Sequence, residues 1–114
     1  MARLRSDFWV SAYLRLCSIE GIPAVLRRRG DEEAGSIFIK VDHMNQQASL
    51  YGPAAVSFRE DDGERKFCIM VKDAFPFDIE ERIEREVKFD SDLWLLEVDY
   101  AGELKNIPLE SSKP

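Results

Sequence analysis

Apolar residues recur along the first stretch of the chain with a helical period. From Asp7 to Glu20, a step of about 100° per residue places Phe8, Trp9, Ala12, Leu16 and Ile19 on one side, and Val10, Tyr13 and Cys17 widen the arc to about half the circumference. So broad an arc predicts a helix over 7–20 that packs on more than one neighbour. Ser6 stands where an N-cap would, Asp7 suits the first turn, and Gly21 with Pro23 beyond it ends the segment.

The period then changes to two. Pro23–Arg29 reads as a strand, Gly30–Gly35 as its turn, and Ser36–His43 as a strand sending Ile37, Ile39 and Val41 to one face and Phe38, Lys40 and Asp42 to the other. Met44–Gln47 reads as a turn and Ala48–Tyr51 as a short strand ended by Gly52 and Pro53. An optional strand, Ala55–Arg59, precedes the polar turn Glu60–Glu64 and the strand Arg65–Lys72, on which Phe67, Ile69 and Val71 share a face. Pro76 introduces a second helix, Asp78 to about Lys88, with Ile79, Ile83 and Val87 in a narrow stripe. Leu93–Tyr100 closes the series as a strand pointing Trp94, Leu96, Val98 and Tyr100 one way and Glu97 and Asp99 the other.

These elements predict an α+β fold in the order α-β-β-β-(β)-β-α-β: a mainly antiparallel meander sheet of five to six strands with both helices on one face. One domain over 1–114 is expected, with an ordered core at about 4–102 and a frayed tail over 103–114.

Composition sharpens this picture by exclusion. With 114 residues, 45% hydrophobic and 11% aromatic, the chain has enough apolar surface to repay the entropy of ordering. No apolar run reaches the roughly 18 residues a membrane span needs, and the N-terminus lacks a signal-peptide pattern, so a cytoplasmic location is expected. Net charge is −6, divided as +2 over residues 1–40 and −8 over 41–114, which argues against nucleic acid or anionic lipid as a general partner. Cys17 and Cys68 lie 51 positions apart without metal or redox spacing and read as two reduced thiols.

Candidate chemistry is sparse. His43 is the one histidine, placed at a strand end beside a turn, where exposure to solvent is expected rather than a role as catalytic base. Zinc, Walker and dinucleotide motifs are missing from the sequence, so no cofactor and no metal is expected. Two strand carboxylates, Asp42 and Glu97, with Lys40 beside Asp42, could hold a magnesium ion against a phosphodiester. Helix, strands, helix, strand also resembles the restriction-endonuclease-like core, but the Glu-x-Lys pair of that core is replaced by Ala48-Ser-Leu-Tyr51. Arg27 and Arg29, alternate residues on a strand, could grip an anion; the plainer reading pairs them with Asp31, Glu32 or the acidic second helix. Trp94 reads as a core anchor.

Four blocks together resemble a known family. Arg3-Leu-Arg-Ser-Asp-Phe-Trp-Val-Ser-Ala-Tyr-Leu-Arg15, Arg28-Arg-Gly-Asp31 with Ala34-Gly35, Leu50-Tyr-Gly-Pro-Ala54, and Phe89-Asp-Ser-Asp-Leu-Trp-Leu-Leu-Glu-Val98 are similar to the uncharacterised alphaproteobacterial family DUF1491. The resemblance implies a small, stand-alone bacterial protein of the cytoplasm, and supplies no reaction, ligand or catalytic residue.

The resulting expectation is a non-enzymatic protein-interaction domain that binds an unknown protein, or a second copy of itself, through an exposed sheet face or edge. The alternatives are a metal-dependent hydrolase or nuclease using Asp42, Glu97 and Lys40, and an anion-recognition module using Arg27 and Arg29.

Overall fold

A computed structural model describes residues 4–55 and 64–110. Its elements run α1 (Ser6–Glu20), β1 (Ala24–Arg28), β2 (Ile37–Asp42), β3 (Ala48–Pro53), β4 (Phe67–Ala74), α2 (Pro76–Phe89) and β5 (Trp94–Asp99). The optional strand Ala55–Arg59 lies, past Ala55, outside the described residues. Neither helix is long and apolar enough to cross a membrane.

The five strands form one mixed sheet in the order β1-β5-β2-β3-β4. This corrects the expected meander: β5 inserts between β1 and β2, antiparallel to the first and parallel to the second. Chain direction explains the insertion. Since β2, β3 and β4 alternate in direction, β4 and β5 run the same way, and strands of equal direction need a long crossover, which α2 supplies. The Gly30–Gly35 segment is therefore no tight hairpin but a loop stepping over the start of β5. Asp31 N donates to Asp92 O at 2.9 Å and Trp94 N to Ser36 O at 2.7 Å. A Cβ on Gly30 would stand 2.2 Å from Asp92 O, so close approach of two backbones is what requires glycine there.

The helices cover opposite faces, correcting the expectation of one shared face. Val10, Tyr13 and Cys17 of α1 pack with Ile37, Ile39, Val41, Leu96 and Val98, whereas Ile79 and Ile83 of α2 pack with Phe38, Leu50 and Leu95. Strand alternation makes this necessary: β2 is apolar at Phe38 as well as at Ile37 and Ile39, so both of its faces need a cover. On β4, Val71 leaves the face of Phe67 and Ile69 for the α2 side, because register shifts against β3 set Leu50 opposite Val71 and Tyr51 opposite Ile69.

Two local expectations also change. Ser6 does not cap α1; Arg5 holds the N-cap position, and the buried Ser6 hydroxyl donates to Gly35 O at 2.7 Å, tying the helix to the loop. Gly21 does close α1, at φ 73°. The segment from Glu103 to Glu110, expected to fray, lies against the core with Leu104 and Ile107 buried and Leu109 bridged to Phe67. Burial pushes the Tyr13 phenol above its ordinary range, and the protonated hydroxyl donates to Asn106 Oδ1 at 2.8 Å, anchoring that segment to α1.

Candidate functional site

Parallel pairing of β2 with β5 sets Lys40 beside Glu97 and Asp42 beside Asp99, all on the face that α2 covers. One carboxylate oxygen from each of Asp42, Glu97 and Asp99 lies within 4.8 Å of the others, and these three could together hold a divalent cation. Asp42 Oδ1 already accepts the Met44 N–H at 2.8 Å, as an Asx turn does.

Lys40 belongs to a different arrangement. Its side chain is 9% exposed, lying below α2 with Nζ 2.7 Å from Glu80 Oε2 and 3.8 Å from Glu97 Oε2. Arg27 completes the group, placing Nη1 2.8 Å and Nη2 2.9 Å from the two Glu80 oxygens and Nη1 3.0 Å from Glu97 Oε1. The Arg27 guanidinium, with Lys40 behind it, holds the Glu80 carboxyl down at about 2. This two-cation, two-anion cluster clamps β1, β5, β2 and α2 together. Its chemistry is that of a structural ion network, since both cations are met by carboxylates of the chain itself.

The two candidate arginines have different surroundings. Arg27 is engaged by α2, while Arg29 lies 5.1 Å over the Trp94 ring with Glu32 at 3.6 Å. A register irregularity between Leu26 and Arg28 breaks the alternation that would have kept them on one face. Trp94 is buried in the core and donates Nε1–H to Asp31 O at 2.7 Å.

His43 is buried, which corrects its expected exposure. The β2–β3 turn, closed by His43 N donating to Gln47 O at 3.0 Å, turns the ring inward beneath Tyr100. Nδ1 lies 2.9 Å from Tyr100 O and Nε2 2.8 Å from Ser49 Oγ. A carbonyl only accepts, so Nδ1 carries a proton and donates it to Tyr100 O, while Nε2 faces the Ser49 hydroxyl and, at 3.4 Å, Asp73 Oδ1. Ser49 Oγ in turn accepts the Asp73 N–H at 3.0 Å, where Asp73 adopts φ 49°. These residues border a cavity of about 270 Å³ also lined by Tyr51, Lys72 and Glu103. Ser49 and His43 stand at the distance of a nucleophile–base pair, but Ser49 is buried on a paired strand and its oxygen already accepts the Asp73 N–H.

The helix α1 carries the surface that sequence reasoning assigned to the core. Phe8 is 56% exposed and Ile19 76% exposed, with Ala12 and Leu16 also outside, so this stripe faces away from the sheet while Val10, Tyr13 and Cys17 face it. Trp9 lies between the two faces, stacked on Tyr13 at 5.1 Å between ring centroids. Beside the stripe, Trp9, Ala12, Tyr13 and Leu16 meet Asn106 and Pro108 across a groove of about 190 Å³. Sequence periodicity found the apolar positions of α1 except Leu14, which packs partly buried against the core; the sheet and the docked 104–109 segment together take up the inner half.

Comparison with known proteins fits this architecture. The protein of unknown function family DUF1491 matches residues 4–106. The chain is similar to the solution structure of protein Atu0922 from A. tumefaciens, with 36% identity, TM-score 0.79, and coverage of 90% of this chain and 89% of that one. It is also similar to a crystal structure of a DUF1491 family protein from Caulobacter crescentus CB15, with 30% identity, TM-score 0.75, and coverage of 95% and 98%. An NMR structure of a DUF1491 family protein from the same organism gives 32% identity, TM-score 0.76, and coverage of 97% and 100%. No curated protein matches. With its family matched from Leu4 to Asn106 and its fold shared at these identities, the chain belongs to the DUF1491 family of proteins of unknown function.

Proposed function

We propose that this protein is a non-enzymatic interaction domain of the bacterial cytoplasm, and that the outer stripe of α1 is its contact surface. The observation that carries the reading is the exposure of Phe8, Ala12, Leu16 and Ile19 at helical spacing, on a helix whose opposite side already supplies the core. Apolar side chains so aligned lose unfavourable contact with water when a partner covers them. The edge strand β1, with Val25 and Leu26 exposed on its two faces, offers a second surface of the same kind.

The polar candidates support the same reading. Arg27 and Lys40 are neutralised within the chain, and the Ser49 hydroxyl is held in a closed hydrogen-bond chain. A hydrolase reading has the Asp42, Glu97 and Asp99 carboxylates in its favour, but Lys40, which it needs facing a phosphodiester, is tied to Glu80. Anion recognition by Arg27 would first have to displace Glu80 and Glu97.

The test compares the wild-type chain with the double variant Leu16→Glu, Ile19→Glu in two assays: association in solution and retention of proteins on the immobilised chain. Loss of association or retention in the folded variant supports the reading. A strictly monomeric wild type that retains no partner contradicts it. Magnesium or manganese titration by calorimetry serves the hydrolase reading, which requires heat that Asp42→Asn removes.

A further inference from the structure

The cavity beside His43 is walled by polar groups that the fold keeps from water. His43, Ser49 and Tyr51 are buried and all three border it, while Lys72, Asp73 and Glu103 form its exposed lining. Asp73 is held at φ 49°, a conformation that residues other than glycine rarely adopt, and from there it donates its N–H to Ser49 Oγ at 3.0 Å and sets Oδ1 3.4 Å from His43 Nε2. We infer that this cavity binds a small, neutral, polyhydroxylated molecule of the size of one sugar ring. The site is separate from α1, so its failure leaves the contact surface untouched.

The buried wall keeps a hydrogen-bond donor in reserve. Tyr51 Oη accepts the Leu104 N–H at 3.2 Å, and its own proton has no acceptor among the described residues. Burial above all, with Glu103 and Asp73 nearby, pushes this phenol above its ordinary range, so it stays protonated and able to donate. Among the described residues neither Lys72 nor Glu103 forms an ion pair, so both remain open to a ligand as well. The mixed signs select its charge. An anion would meet the Asp73 and Glu103 carboxylates and a cation would meet Lys72, whereas a hydroxyl is donor and acceptor at once. It can donate to a carboxylate and accept from Tyr51 or Lys72 without either repulsion, and Ile69 gives the C–H face of a ring an apolar wall. Size narrows the class further. Ligand pockets run upward from roughly 300 Å³, and a cavity of about 270 Å³ suits a single small ring rather than a nucleotide.

Titration of the full chain with D-glucose, D-ribose and myo-inositol, followed by backbone amide NMR, tests this. A ligand of about a dozen heavy atoms should dissociate in the millimolar range. The expected result is saturable shifts at the Ser49, Tyr51, Asp73 and Glu103 amides with at least one of the three, weakened about three- to tenfold by Tyr51→Phe and by Glu103→Gln. Because Tyr51→Phe also deprives the Leu104 N–H of its acceptor, urea midpoints check that variant's fold, and the exposed Glu103→Gln gives an independent reading. Acetate and n-butylamine serve as charged probes. Saturable binding of either one in place of the polyols overturns the neutral class, and binding indifferent to both variants overturns the placement. Shifts that fail to saturate with any of the five compounds overturn the site altogether.

Discussion

Lys40 Nζ on the central strand stands 2.7 Å from Glu80 Oε2 on the helix above it, and the same carboxylate receives Arg27 from the edge strand. A buried ammonium is tolerated only with a partner, so α2 contributes charge compensation as well as its Ile79 and Ile83 stripe. Removing Glu80 strands Lys40 with Glu97 at 3.8 Å. Glu80→Ala should cost about 1–3 kcal/mol in urea unfolding, below the cost of breaking a fully buried pair because Glu80 remains partly in water.

Acid should reveal the same network. The folded-state value of Glu80 is about 2 against an ordinary 4.5, so its contribution is complete above pH 4.5 and is lost as pH falls toward 2. Thermal midpoints recorded across that window should decline less steeply for Glu80→Gln than for the wild type. Parallel pH curves for the two proteins would show that the pair carries no such linkage.

His43, Ser49 and Asp73 form a chain of hydrogen bonds that should behave as one unit. Ser49→Ala leaves His43 Nε2 and the Asp73 N–H without their shared partner, at a cost of about 1–3 kcal/mol. His43→Ala should then add less in the double variant than it costs alone, as a double-mutant cycle measures. Nitrogen NMR of the ring should find the Nδ1–H tautomer, set by Tyr100 O.

Two glycines separate backbone conformation from close packing. Gly30→Ala forces a Cβ to within 2.2 Å of Asp92 O, so the loop must lift off β5; the expected loss is about 1–3 kcal/mol or more. Gly21→Ala meets nothing within 4 Å and suffers only from its φ of 73°, about 1 kcal/mol. Chemical denaturation of both variants ranks them directly.

Much of the fold was legible in local patterns. The alternation of Ile37, Ile39 and Val41, the stripe Ile79–Ile83 and the inward row Trp94, Leu96 and Val98 all take the positions their periods predict. Strand order was not legible, because Gly30–Gly35 has the composition of a hairpin turn, and only the long crossover through α2 reveals that β5 fills the gap. Lys40 illustrates the same limit at the candidate site. A lysine between isoleucine and valine on an alternating strand reads as a solvent-facing residue, and the glutamate that makes its burial tolerable lies 40 positions away. For α1, period 3.6 locates the apolar residues without saying which half meets the sheet, so the exposed stripe of Phe8, Ala12, Leu16 and Ile19 reads as core. His43 went unrecognised since nothing in its neighbourhood announces that the turn folds inward onto Tyr100.

Site-specific photo-crosslinking in bacterial cells, with the reactive group at Ile19 on α1 and a control at the exposed Glu81 on α2, tests the contact surface without prejudging its occupant. The account predicts a discrete crosslinked product from position 19, lost on Leu16→Glu, and none from position 81. Equal yields at the two positions, or no product from position 19 in a folded protein, would contradict it.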